Sequence, residues 1–329
     1  MTISRSISRR FAPRYLTRAI ARAAAWMLLL AVSHAQQSAT VSSHQNPADL
    51  VRKAVQNEIK AANDDHTHFL FRGTKTTPQG STTRLYVETK DATAGLVIAY
   101  NGKPLTTEQL REEEARVEHY IKNPEELKRK QEQERQNAER TLRITRAMPD
   151  AFLFEYAGEE AGSPGIGRPG TRLVKLKFRP NPHYQPPSRV EEVLTGMEGY
   201  VLVDATDYRF ASIDGTLFKE VGFGWGILGY LDRGGRFIVR QQEVGGNFWE
   251  ISSMTLNFTG KILLFKSLAI NSTEVFSGFK QVPSDLTFAQ ALDLLKKEES
   301  TAAANKLPVE TGLAPSPANA ANRVDEKHR

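Results

Sequence analysis

Two histidines one residue apart, His66-Thr67-His68, follow directly on Asp64 and Asp65. On a strand both imidazoles would share a face, which is the beginning of a metal site. No second cluster of ligands follows, so the pair reads as polar residues at a strand edge and no metal is expected. Glu118-His119 lies in a run of charges and reads as solvated surface. Gly224-Trp225-Gly226-Ile227-Leu228-Gly229 satisfies by letter the three-glycine dinucleotide pattern. That chemistry needs a helix to begin at the glycines, its N-terminus facing the pyrophosphate, and an acid about 20 residues on. Here the run continues into Tyr230-Leu231-Asp232-Arg233-Gly234-Gly235, turn material before another strand. The glycines therefore read as allowing sheet curvature or close approach of backbone, leaving Trp225 and Ile227 to pack. Cysteine is absent, which removes disulfides, thiolate nucleophiles and zinc-thiolate sites together. Nothing matches a nucleophile elbow, a thermolysin-type zinc helix or a phosphate loop. With no convergent set of titratable residues, the chain reads as non-enzymatic and without a cofactor.

The elements around these residues alternate between two periods. Asn46-Pro47-Ala48-Asp49 is a helix start, with Asn as cap and Pro in the first helical position. Leu50, Val51, Ala54, Val55, Ile59 and Ala62 then make one apolar stripe, so this helix packs. A period of two follows at 68–74, 84–89 and 95–100, with Asn101-Gly102 as a hairpin signal, and predicts an antiparallel meander. Residues 105–147 change again. Thr106 with Gln109 forms a capping box, Glu112 with Arg116 and Glu139 with Arg143 are acid-first pairs, and Asn123-Pro124 breaks the segment into two helices. Between Leu127 and Ala138 no residue is apolar, so the stretch must stand in solvent or meet a polar partner.

Strand patterning returns at 151–156, 171–179, 199–203, 208–213, 218–223, 236–244, 247–258 and 261–273, with a short helical turn at 188–194. That makes about eleven strands, which curl into a barrel, half-barrel or sandwich. The apolar parity of Trp249 and Ile251 against Met254, Leu256 and Phe258 slips at Ser252-Ser253, which reads as a bulge. A last helix begins at Thr287 and runs to about Glu299, and residues 301–329 read as a disordered tail.

The first 35 residues decide how to read the charge. They hold Arg5, Arg9, Arg10, Arg14, Arg18 and Arg22, no acid, an apolar run at 23–32, and Ser33-His34-Ala35 as a cleavage signal. A membrane span needs about 20 apolar residues, so the run is short for an anchor. Ser8-Arg9-Arg10-Phe11-Ala12 approaches a twin-arginine signal, but the large apolar residue stands one place early. Six of the 44 bases lie in this segment, so 38 remain against 38 acids. The pI near 9.4 thus describes an export address and gives no reason to expect nucleic acid. The expected organisation is a signal peptide (1–35), a leader (36–45), one domain (46–300) carrying the charged helical segment 105–147, and the tail. The product is expected in the periplasm or secreted, without a stable membrane anchor.

The order of these parts carries a resemblance. One amphipathic helix, a meander ending in Gly95-Leu96-Val97-Ile98-Ala99-Tyr100-Asn101-Gly102-Lys103, and a long antiparallel series resemble the periplasmic lipoprotein carrier superfamily of LolA and LolB. Gly199-Tyr200-Val201-Leu202-Val203-Asp204-Ala205-Thr206-Asp207-Tyr208-Arg209-Phe210-Ala211-Ser212-Ile213 is similar to that family's strand, acidic turn, strand unit. Further strings, Pro149-Asp150-Ala151-Phe152, the run from Pro180 to Ser188 and the run from Gly222 to Gly229, resemble an uncharacterised exported bacterial branch of the same kind. The resemblance implies an α+β, mainly β fold: an antiparallel half-barrel over one or two packing helices. Its concave apolar face would hold lipid or lipoprotein acyl chains. Phe69, Phe71, Leu85, Val97, Trp225, Ile227, Phe237, Trp249, Met254 and Phe265 are the residues that could line it, and each could equally be ordinary core. The lipid-attachment cysteine of an anchored receptor is missing. The alternative is an envelope interaction protein whose segment 105–147 meets a protein partner.

Overall fold

The computed structural model describes residues 46–64, 66–223, 229–262 and 266–304. The expected signal peptide and leader lie outside the described residues, as does the tail beyond Ala304. Among the described residues no helix is long and apolar enough to cross a membrane.

Local signals set the helix ends. Asn46 Oδ1 accepts the Ala48 N–H at 3.0 Å, and α1 (Pro47–Asp64) buries Leu50, Val51, Ala54 and Val55. The capping box forms as the sequence predicts: Thr106 Oγ1 accepts from Gln109 N–H at 3.2 Å and Gln109 Oε1 from Thr106 N–H at 3.0 Å. It opens α2 (Thr107–Lys122), and Pro124 opens α3 (Pro124–Ala151). Thr287 and Gln290 repeat the device ahead of α4 (Phe288–Ala304).

The strands are β1 (His68–Thr77), β2 (Gly80–Val87), β3 (Ala94–Tyr100), β4 (Lys103–Pro104), β5 (Phe152–Ala161), β6 (Arg172–Pro180), β7 (Met197–Asp204), β8 (Phe210–Leu217), β9 (Val221–Phe223), β10 (Gly229–Leu231), β11 (Arg236–Glu243), β12 (Trp249–Ile262) and β13 (Lys266–Val282). A 3₁₀ turn at Glu191–Gly196 precedes β7. They form one 13-stranded sheet in the order β4-β3-β2-β1-β13-β12-β11-β8-β7-β6-β5, with β9 and β10 attached beside β12. Neighbours pair antiparallel, and β4 and β5 stand at opposite ends, so the sheet is unclosed.

One expected boundary moves. Residues 259–260 separate the strands expected at 247–258 and 261–273, yet β12 continues through them to Ile262. A Cβ at Gly260 would lie 2.1 Å from the Tyr230 carbonyl oxygen, so the glycine admits the backbone of β10 and makes no turn. β13 then runs on to Val282, nine residues past the expected strand end at Thr273. The expected bulge is present: Arg240 faces Ser253 and Gln241 faces Ile251, leaving Ser252 as the extra residue.

Directly paired residues share a sheet face, so the register sorts the core into two sides. On one side Val174, Leu176, Phe178, Val201, Val203, Phe210 and Leu217 pack under α1, Met148 and Ala151 of α3, and Leu194 of the 3₁₀ turn. On the other, Leu70, Leu85, Val87, Ala94 and Leu96 pack under Phe288, Ala291, Leu292 and Leu295 of α4 and Val117 of α2. We call these the α1 face and the α4 face. Helices thus cover different ends of the sheet on opposite sides.

The charged segment is the connection between the two sheet edges. The chain leaves the sheet at β4 and re-enters at β5, and α3 with its 28 residues is about 42 Å long, enough to cross. Its C-terminal part contributes Ile144, Ala147, Met148 and Ala151 to the core under α1. Leu127, near its start, packs with the α4-face core.

Candidate functional site

The apolar surface of the α1 face extends past the part that α1 covers. From β2 to β11, the register places Phe71, Tyr86, Phe276, Met254, Leu256, Val239 and Phe237 on that face. All are half-buried, and Ile270 further along β13 is exposed. Rings dominate one end: Phe71 stacks on Tyr86 and on Phe279, centroids 5.2 Å apart in each case, and meets Phe276 edge-on at 5.9 Å. Phe69, buried, meets Phe248 at 5.9 Å and Phe279 at 6.1 Å.

A bulge makes this cluster possible. Phe276 and Phe279 are three residues apart and in a regular strand would point to opposite sides. Between Leu70 and Arg72 the register slips, and Gly278 takes φ +69°, so both rings reach Phe71. Glycines also let rings lie down on the sheet. A Cβ on Gly73 would stand 2.8 Å from the Tyr86 ring and 3.0 Å from that of Phe276, and one on Gly215 would stand 2.2 Å from Phe237.

Polar residues of the connecting helices close the adjoining edge. Glu113 of α2 accepts the Val97 N–H at 2.9 Å, Arg116 donates to the Gly95 carbonyl at 2.9 Å, and Glu134 of α3 accepts the Thr93 N–H at 3.0 Å. The polar partner that the apolar-free stretch requires is therefore, in part, the chain's own sheet edge. Burial works against the charge on Glu113, but hydrogen bonds from Arg116 and the Val97 N–H, with the positive fields of Arg116 and Arg84, outweigh it. Its pKa falls below the ordinary 4.5, so its contribution to holding the edge is present above that pH and is lost as pH falls through the lowered value. An NMR titration of the Glu113 side-chain carboxyl should give a midpoint below 4.5; a midpoint at or above it would contradict the edge-capping role.

Between these helices and β2–β3 lies a cavity of about 360 Å³. Arg84, Tyr86, Gly95, Arg116, Tyr120, Lys130 and Glu134 are among its walls. Tyr86 belongs both to this cavity and to the aromatic row.

The acidic-turn unit has a structural task. Asp204, fully buried, accepts from Thr206 N–H at 2.8 Å, Asp207 N–H at 2.9 Å and Thr171 Oγ1 at 2.7 Å. The turn so formed receives α1. Asn57 Nδ2 donates to the Asp207 and Tyr208 carbonyls, and Lys53 Nζ stands 3.3 Å above the Tyr208 ring. Glu58 takes both arms of Arg209 at 2.9 Å and the Phe210 N–H at 3.0 Å.

Of the residues expected to line an apolar cavity, Phe69, Phe71, Val97, Phe237 and Met254 share the α1 face. Leu85 points into the opposite core under α4, because its strand neighbour Tyr86 holds the α1 side. Trp249 sits in a separate small core with Leu173, Leu202 and Ala211. Trp225, Ile227 and Phe265 lie outside the described residues, as do Gly224 to Leu228 of the glycine pattern. His66 lines an open groove with Asn57, Lys60 and Asp64, while His68 begins β1 opposite Val282. Tyr86, Phe276, Phe279 and Arg84 were missed. The period-two run through Tyr86 was a usable signal for that ring.

An unclosed antiparallel sheet with helices on both faces is an α+β half-barrel. No protein-family model matches the chain, and no curated protein matches it in sequence. Among solved structures it is similar to a domain from Vibrio parahaemolyticus described as a candidate outer membrane lipoprotein-sorting protein, at 11% identity and TM-score 0.26, covering 75% of this chain and 99% of that one. It is also similar to a DUF1329 family protein from Desulfovibrio piger, at 10% identity and TM-score 0.27, covering 76% of this chain and 100% of the other.

Proposed function

We propose that this chain is an exported, non-enzymatic carrier that holds the acyl part of a lipid or lipoprotein on the α1 face, in the periplasm or outside the cell. The observation that supports this is the half-buried row of Phe71, Tyr86, Phe276, Met254, Leu256 and Val239, apolar surface on the α1 face outside the core that α1 closes. Such a surface gains by covering itself with hydrocarbon, about 25 cal/mol for each Å² removed from water. The arginine-rich, acid-free first 35 residues support export. A protein partner on the charged segment has less support, since Glu113, Arg116 and Glu134 are engaged by the sheet edge.

Met254→Glu tests the reading. A carboxylate in the row must be desolvated under a bound chain, so decanoate or decanol affinity should fall at least about tenfold. Isothermal titration measures it, with circular dichroism to check the fold. No binding of any acyl compound by the unaltered protein, or equal binding by a folded variant, would refute the carrier reading.

A further inference from the structure

Among the described residues Arg84 is a cation without an ion-pair partner. It stands on β2 two residues before Tyr86 and so shares the α1 face with the aromatic row. Arg116 and Lys130, which share its cavity, each have a carboxylate partner, Glu113 and Glu134 respectively. The same two carboxylates also accept the Val97 and Thr93 N–H groups. Arg84 makes no ion pair and donates no side-chain hydrogen bond among the described residues, although its field reaches Glu113. Three bases and one acid therefore line a cavity of about 360 Å³, and the unpaired base is the one nearest in sequence to the aromatic row.

We infer that the carried ligand is an anionic amphiphile, its carboxylate or phosphate head received by Arg84 with Arg116 and Lys130 beside it and its chain laid past Tyr86 onto Phe71 and Phe276. The inference rests on the carrier reading and adds the ligand's charge. A guanidinium fork offers five donors in a plane and matches either head group with two parallel hydrogen bonds. Apolar surface on one side of Tyr86 and an unpaired cation on the other suit a molecule with both properties.

The test compares decyl phosphate with decanol, equal in chain length, by isothermal titration on the whole domain. Decyl phosphate should bind about tenfold more tightly, the scale of one charge-assisted contact. Arg84→Gln should bring that ratio close to one, and Arg84→Lys should keep part of it. Raising the salt should erode the ratio in the unaltered protein, a readout that needs no variant. A ratio near one in the unaltered protein overturns the inference and leaves the carrier reading standing. So does a folded Arg84→Gln protein with the ratio unchanged, or inorganic phosphate binding as tightly as decyl phosphate. Failure of both decyl compounds to bind overturns the inference and the carrier reading together.

Discussion

Replacing Glu58 with alanine is expected to lower the stability of the domain by about 2–4 kcal/mol, less than a fully buried pair would cost because some solvent reaches this one. The carboxylate accepts three hydrogen bonds, two from Arg209 and one from the Phe210 N–H, and both charged side chains are only 13% exposed. Alanine would leave a half-buried guanidinium and a backbone donor with no acceptor, which is costlier than never having had the pair. It would also loosen α1, whose Leu50, Val51, Ala54 and Val55 close the larger core. Urea denaturation measures the loss as a lower midpoint. Glu58→Gln, which can still accept from Phe210, should cost about half as much. Adding Arg209→Met to Glu58→Ala should recover part of the loss, since it removes the stranded charge. A midpoint shift equivalent to less than about 0.5 kcal/mol would mean that α1 is held by its apolar stripe alone.

Gly199→Ala should be at least as damaging, about 3 kcal/mol or more, and for a different reason. Gly199 of β7 is paired with Gly215 of β8, and an added Cβ would stand 1.9 Å from the Asp214 carbonyl oxygen and 3.0 Å from the Gly215 Cα. These are backbone atoms of the neighbouring strand and cannot rotate aside. The two strands would have to part, and the Phe237 ring that lies over Gly215 would lose its seat. Gly95→Ala is the contrast: its Cβ would meet the Tyr86 ring at 3.2 Å, which a small tilt of that ring relieves. Thermal melting of the two variants side by side checks the difference, and equal melting temperatures would show that the strands at Gly199 have room to spread.

Much of the architecture was legible because its signals are local. The caps at Asn46, Thr106 and Thr287, the break at Asn123-Pro124 and the slip at Ser252 each depend on a few adjacent residues, and each forms. Gly260 misled because a glycine that makes room for a distant backbone looks the same in sequence as one that makes a turn. Phe276 and Phe279 escaped because their spacing is wrong for a shared face until the bulge at Gly278 is known. The partners of Glu113 and Glu134 were unreadable for the same reason: they are backbone donors on a strand edge, and neither composition nor periodicity records those. Leu85 and Trp249 are apolar strand residues like Phe71, and only the packing shows that they belong to other cores.

The seam between β1 and β13 has a kinetic consequence. The first strand of the domain and the last are hydrogen-bonded neighbours in the middle of the sheet, with Lys75 paired to Glu274 across a sequence separation of 199 residues. A chain emerging from its N-terminus could assemble β1 to β4 as one ribbon and β5 to β12 as another, but no strand pairing joins the ribbons until the final strand arrives. Closing so long a loop comes late and slowly, and until then both ribbons show an open edge. The sheet is thus divided until its last strand is in place, and β13 is the strand that makes it whole.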